Sequence, residues 1–283
     1  MWDFESGDFL HFLDWDEDGG CDQVSVLAFS PDGTALAAGC TDGGLRLWDM
    51  ESGGQVATLI DPARSDTYEF GITSVTFDAD GAVVTGAARD DVVQRWDVAT
   101  GKLLSAAGPS DPEHMEYTPG YPEALHPDGA VLATEYGHEH VRLWDTESGE
   151  KGATFEGSGA NLSVDALAFS ADGSVLASGG DEVIEVWEVE SGRSLAVVPY
   201  GGSSARIDEF VLSPDGSRLL SSDSEGRIIL WDVAPGGSGD REFLDLHDSE
   251  VTALAFHPDG SLVVSGDEKG AIELHVLETA DDG

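Results

Sequence analysis

Asp14, Asp16, Asp18 and Asp22 occupy the first, third, fifth and ninth places of one short run, with Gly19 at the sixth. Carboxylates at alternate positions converge when a glycine lets the chain bend sharply, and such a set of hard oxygen ligands suits calcium. The twelfth place holds Ser25 rather than Glu, and no helical periodicity flanks the run, so a helix–loop–helix calcium site is excluded. The competing reading is a solvated acidic loop in an Asp-rich chain. His138 and His140 flank Glu139, and residues two apart on a strand point the same way, which would suit a transition metal. His114, on a long loop, is the third imidazole that could approach them. His126 and His257 open four-residue turns and read as turn residues. No Ser-His-Asp order, glycine-rich phosphate loop or Cys/His metal spacing stands out. With 56 acidic residues, two carboxylates close together say little about acid–base catalysis.

Those residues must be positioned by a repeated element. Trp-Asp pairs recur at Trp48-Asp49, Trp96-Asp97, Trp144-Asp145 and Trp231-Asp232, with Trp187-Glu188 filling the gap, at steps of 43 to 48 residues. Each follows a tight turn: SPDG at 30–33, DADG at 78–81, HPDG at 126–129, SADG at 170–173 and SPDG at 213–216. A sixth turn, HPDG at 257–260, precedes Leu274-His275, where Trp has become His. In the first unit, residues 24–29, 34–39, 45–48 and 55–60 read as four strands, a to d, joined by Pro/Asp/Gly turns. The following units place strands a to d within 72–106, 120–155, 164–198 and 207–246, and strands a to c within 251–276. Pro119 and Pro122 interrupt the first strand of the third unit.

Six in-phase units of this length are the sequence signature of propeller blades, and the pattern resembles the WD-repeat β-propeller family over nearly the whole chain. The expected fold is all-β: six four-stranded antiparallel blades in one domain spanning residues 1–283, with an acidic tail at 277–283. A seven-bladed or truncated ring is the alternative. Residues 1–13 are read as the closing segment, with 9–13 supplying the outer strand of the last blade beside Leu274. Family blades often carry a histidine before strand a, bonded to an Asp of the b–c turn and onward to the Trp. Here only His247 has that spacing, and its unit holds Lys269 and His275 where Asp and Trp would stand. Asp42, Asp90 and Asp181 keep the turn position, while His138 and Glu225 replace it elsewhere. The Asp14–Asp22 run also resembles calcium loops of integrin-type propellers and dockerins.

Composition narrows the setting. Lys and Arg total 13 against 56 acids, a net charge of −43. The acids are dispersed among apolar strands and lysine is scarce, which resembles proteins of salt-in halophiles; at molar salt the Debye length is about 3 Å and self-repulsion is screened. Scattered arginines give no basic stripe, so nucleic acid is not the expected partner. Two cysteines exclude a disulfide framework, although Cys21 and Cys40 could approach at one end of the first blade. No signal pattern or spanning apolar stretch is present, so a cytoplasmic protein without membrane attachment is expected.

The family resemblance implies a non-catalytic scaffold, a monomeric ring without cofactor, that binds a protein or peptide. The a–b turns are uniform and the c–d turns nearly so, whereas the d–a connections vary. All five tyrosines fall on the variable side, and so does the one Trp outside the repeated position. Aromatic and arginine side chains are favoured at interface hot spots. The candidate contact residues are therefore Trp15, Tyr68, Arg89, Tyr117, Tyr121, Tyr136, Tyr200 and Arg206. The alternatives are a propeller enzyme, a small-ligand binder with a site at the central channel, or a regulatory module of a larger assembly.

Overall fold

The computed structural model describes residues 9, 13, 21, 23–62, 71–90, 92–108, 123–137, 140–157, 164, 166–180, 183–199, 207–223, 225–234 and 240–277. Its strands form six antiparallel sheets, each in sequence order. The first holds β1 (Val24–Phe29), β2 (Ala35–Cys40), β3 (Leu45–Asp49) and β4 (Gln55–Leu59). The second holds β5 (Ile72–Phe77), β6 (Val83–Ala88), β7 (Val93–Asp97) and β8 (Leu103–Ala107). In the third, β9 (Glu123–Leu125) precedes β10 (Val131–Tyr136), β11 (His140–Asp145) and β12 (Lys151–Glu156). The fourth is β13 (Ala166–Phe169), β14 (Val175–Gly179), β15 (Val183–Glu188) and β16 (Arg193–Pro199). The fifth is β17 (Ile207–Leu212), β18 (Arg218–Asp223), β19 (Arg227–Asp232) and β20 (Arg241–Leu246). The sixth, three-stranded among the described residues, is β21 (Val251–Phe256), β22 (Leu262–Asp267) and β23 (Ile272–Val276). The architecture is a β-propeller of six blades.

Two compact units divide the chain: Met1–Gly120 with Leu125–Leu132 and Trp144–Lys151, and Tyr121–Ala124 with Ala133–Leu143 and Gly152–Gly283. In the first, Leu45 and Leu47 of the first blade pack on Ile72, Val75 and Phe77 of the second. In the second, Ile184 and Val186 pack on Ile207 and Phe210, and Ile228 and Leu230 on Val251 and Leu254. The rule is the same in both: the apolar faces of one blade share a core with strand a of the next. Trp48, Trp144, Trp187 and Trp231 are fully buried at the ends of their c strands, each at a site where truncation to Ala costs about 3–5 kcal/mol.

The turns explain why so many aspartates recur. Asp32 Oδ1 accepts from Ser30 Oγ at 2.7 Å, Thr34 N at 3.0 Å and Thr34 Oγ1 at 2.8 Å, while Gly33 sits at φ +70°. Asp172 and Asp215 repeat the arrangement with Ser170 and Ser174, and with Ser213 and Ser217. On the c–d turns, Asp49, Asp97 and Asp145 each accept from the backbone N and the hydroxyl of a residue three places on. A carboxylate that satisfies these donors fixes the turn.

Two apolar faces depart from the packing rule. Leu27 and Phe29 of β1 are 57% and 59% exposed, whereas their register counterparts Val75 and Phe77 are 8% and 4%. Ile272 and Leu274 of β23 are 70% and 53% exposed, against 0% and 1% for Leu45 and Leu47. Of the segment expected to close the last blade, only Phe9, in an isolated bridge, and Leu13 are described; its pairing beside Leu274 lies outside the described residues. Cys21 and Cys40 are joined by a disulfide, with Cα atoms 5.5 Å apart.

Candidate functional site

The variable end of the blades includes the b–c turns, which are capped by an Asp at one of two positions. In the first blade, Asp42 accepts from Gly44 N at 2.9 Å and from Arg46 Nη2 at 2.6 Å, which holds a buried guanidinium in place. Arg89, a predicted contact residue, is exposed, and its backbone N donates to Gly71 O at 3.1 Å.

In the third blade, Tyr136 ends β10 and Arg142 lies across the turn on β11, with the guanidinium carbon 3.4 Å from the tyrosine ring centre. Arg142 Nε also donates to Thr154 Oγ1 at 3.0 Å, so the stack is fixed from both sides. A half-buried aromatic ring under a cation is a rigid anchor of the kind that interface hot spots use. In the fifth blade Asp223 accepts from Arg227 Nε at 2.6 Å and from the backbone N of Glu225 at 3.0 Å. The cap thus comes two residues before Glu225, the position singled out in the sequence.

The sixth blade shows the same offset and corrects the reading of His247. Its carboxylate partner is Asp267, at the end of β22, and not the residue at the Lys269 position. His247 Nδ1 lies 3.3 Å from Asp267 Oδ2, and Nε2 lies 2.8 Å from Ser265 Oγ. Asp267 also accepts from the backbone N of Lys269 and Ala271 at 3.0 and 2.9 Å; the Ala271 bond does most to hold its carboxyl below the ordinary 3.8. His275, in the place of the Trp, lies with Nε2 3.9 Å from Glu273 Oε2, and His247 Nε2 is 3.7 Å from the same oxygen. The signal that could have found this chain was the spacing from His247 to an Asp at the strand end instead of at the turn centre.

Of the other predicted residues, Trp15, Tyr68, Tyr117, Tyr121, Tyr200 and Arg206 lie outside the described residues, as do Asp14, Asp16, Asp18 and Asp22. His114, His138 and Glu139 do too, while His140 Nδ1 accepts from Gly157 N at 3.3 Å. His126 and His257 are turn residues: each Nδ1 lies against the Asp two places on, at 2.6 and 2.7 Å. Among the described residues no group of three His, Cys, Asp or Glu is placed to hold a metal ion.

Comparison with known proteins agrees with this geometry. The WD domain, G-beta repeat model matches residues 11–49, 149–188, 197–232 and 241–274, more than half of the chain. The apoptotic protease-activating factor 1 of Danio rerio is 30% identical over 168 residues, covering 58% of this chain and 13% of the relative. Protein Rae1 of Drosophila melanogaster is 32% identical over 133 residues, 45% of this chain and 35% of the relative. Pre-mRNA-processing factor 19 of Oryza sativa subsp. japonica is 27% identical over 179 residues, 63% of this chain and 31% of the relative. The chain therefore spans about a third or less of these relatives. A chain in the crystal structure of a mitotic checkpoint complex superposes with a TM-score of 0.74 at 19% identity, covering 98% of this chain and 84% of that one, which shows the shared fold. With the repeat, the turn chemistry and the family model in agreement, the chain belongs to the WD40 repeat family.

Proposed function

We propose that this chain is a non-catalytic WD-repeat scaffold that binds a protein or peptide through the b–c and d–a connections of its blades. The observation that carries this reading is the contrast between the two ends of the blades. At the a–b and c–d end, the same carboxylate-capped turn recurs and offers little to tell one partner from another. At the b–c end the blades differ: Arg89 is exposed, a half-buried Tyr136 lies under Arg142, Arg227 is held by the buried Asp223, and the last turn is anchored by a buried His247–Asp267–Ser265 chain. Differing side chains on a repeated frame are what specific recognition requires. The reading extends to a single domain over residues 1–283 working in a salt-rich cytoplasm, and to the acidic run Asp14–Asp22 as a calcium loop beside the contact surface.

The test is a pull-down in molar potassium chloride with wild-type bait, followed by affinity measurement on the captured partner. Tyr136→Ala should weaken binding by about 1–4 kcal/mol, while Asp172→Ala, at the opposite end, should leave affinity unchanged. The reverse ranking would overturn the assignment of the binding end.

A further inference from the structure

Arg218 opens β18 at a place where the repeat otherwise puts an apolar residue. It lies across from Asp232 in the strand register. The same register place holds Ala35 opposite Asp49, Val83 opposite Asp97, Val175 opposite Glu188 and Leu262 opposite Val276. A partly exposed arginine has replaced an apolar side chain in one blade, and among the described residues its guanidinium has no hydrogen-bond or ion-pair partner. A guanidinium on a cavity wall that no protein acceptor meets is available to the anionic group of a ligand.

The space for one is present. Arg218 lines a cavity of about 440 Å³ at the a–b/c–d end of the fifth blade, walled by Trp231 and Leu244 and by Val276 and Leu277 of the sixth. A cavity of that size lies within the range of small-ligand sites. Arg241 stands at the wall with its guanidinium carbon 5.6 Å from the Trp231 ring centre. Three carboxylates, of Asp232, Asp240 and Glu242, complete the lining. Each simpler ligand leaves something unmet. A plain anion would face three carboxylates, a plain cation would leave Arg218 without an acceptor, and a neutral apolar molecule would desolvate all five charges.

We infer that this cavity binds a short apolar peptide with both termini free. Its carboxylate is taken by Arg218, its ammonium by the carboxylate rim, and its apolar side chains by Trp231, Leu244, Val276 and Leu277. A guanidinium recognises a carboxylate through two parallel hydrogen bonds, and the apolar wall supplies burial that salt does not weaken. The site is separate from the end proposed for protein binding, and its test is independent of that proposal.

Calorimetry in molar potassium chloride with L-leucyl-L-leucine as probe decides the matter. The wild type should bind it saturably, and Arg218→Val should weaken binding at least about 10-fold, as loss of a charge-assisted pair implies. That variant installs the side chain the repeat already uses at Val83 and Val175, so its melting temperature should hold; Arg218→Gln serves as a second variant. N-acetyl-leucyl-leucine and leucyl-leucine amide should each bind at least about 10-fold more weakly. The inference is overturned if the wild type shows no saturable binding, if either Arg218 variant that retains its fold binds like wild type, or if either blocked peptide binds as well as the free one.

Discussion

Asp259 shows why single carboxylates matter here. Its Oδ1 accepts from Ser261 Oγ at 2.5 Å and Ser261 N at 2.8 Å and lies 2.7 Å from His257 Nδ1; the Ser261 bonds lead in bringing its pKa down to about 2. Asp32, Asp49, Asp97 and Asp145 are also held below 3.8, by bonds from the turn residues that follow them. A depressed carboxyl contributes stability above its unfolded value, lost as pH falls through the folded one. Acid titration followed by circular dichroism should therefore show stability falling from about pH 4 towards pH 2, and Asp259→Asn should flatten the lower part of that fall. Glu209 is the opposite case. Burial alone lifts it from 4.5 to about 7, and Ser222 Oγ, across from it in the register, is buried with no hydrogen-bond partner among the described residues. A raised carboxyl costs stability as pH rises from 4.5 through 7, so Glu209→Gln should stabilise the protein by about 1–3 kcal/mol at pH 8 and not at pH 4. Denaturant unfolding at the two pH values checks this; an equal effect at both would refute it. The turn carboxylates were legible because Asp-Gly after Pro or Ala fixes a turn by local rules. Glu209 was not, because its burden comes from neighbouring strands that local sequence does not name.

Strand limits followed the alternating pattern closely: residues 24–29 are β1 as expected, and the neighbouring ends shift by one residue. What the pattern could not show is an irregularity in four of the a strands. The register slips between Val24 and Val26, Ile72 and Ser74, Ile207 and Glu209, and Val251 and Ala253. A bulge re-aims the entry of each of these four strands, and nothing in the residue types announces it. Glycines that turn the chain divide by what surrounds them. A methyl group on Gly33 (φ +70°) would have nothing within 4 Å, whereas on Gly226 (φ +80°) it would meet His247 O at 2.7 Å and Ser249 O at 2.9 Å. Backbone oxygens cannot swing aside as side chains do. Gly33→Ala should cost about 1–2 kcal/mol for its left-handed backbone, and Gly226→Ala about 2–4 kcal/mol because strain and collision add. Urea melts of the two variants check the order; equal losses would place the whole cost in the φ angle.

At the scale of the molecule, charge and apolar surface respond to salt in opposite senses. The blade count was legible because a repeat multiplies a weak local signal six times. The end faces were not, because exposure depends on what packs against a strand and alternation alone does not record that. With a net charge of −43, dilute buffer leaves repulsion acting over about 10 Å, and molar salt cuts it to about 3 Å. The melting temperature should rise markedly from dilute buffer to molar potassium chloride; an unchanged value would remove the salt argument. Leu27 and Phe29 on β1, and Ile272 and Leu274 on β23, feel the other side of the same change. Their counterparts lie inside joints between blades, so these faces keep the shape and stickiness of an interior while facing solvent. Excluded salts strengthen attraction between such surfaces just as the charge cloud that keeps molecules apart collapses. The protein should therefore have a window of salt in which it is both folded and dispersed, bounded below by unfolding and above by salting-out. Light scattering would record the upper bound as the second virial coefficient changing sign, and a charge introduced by Leu274→Glu would push that crossing to higher salt.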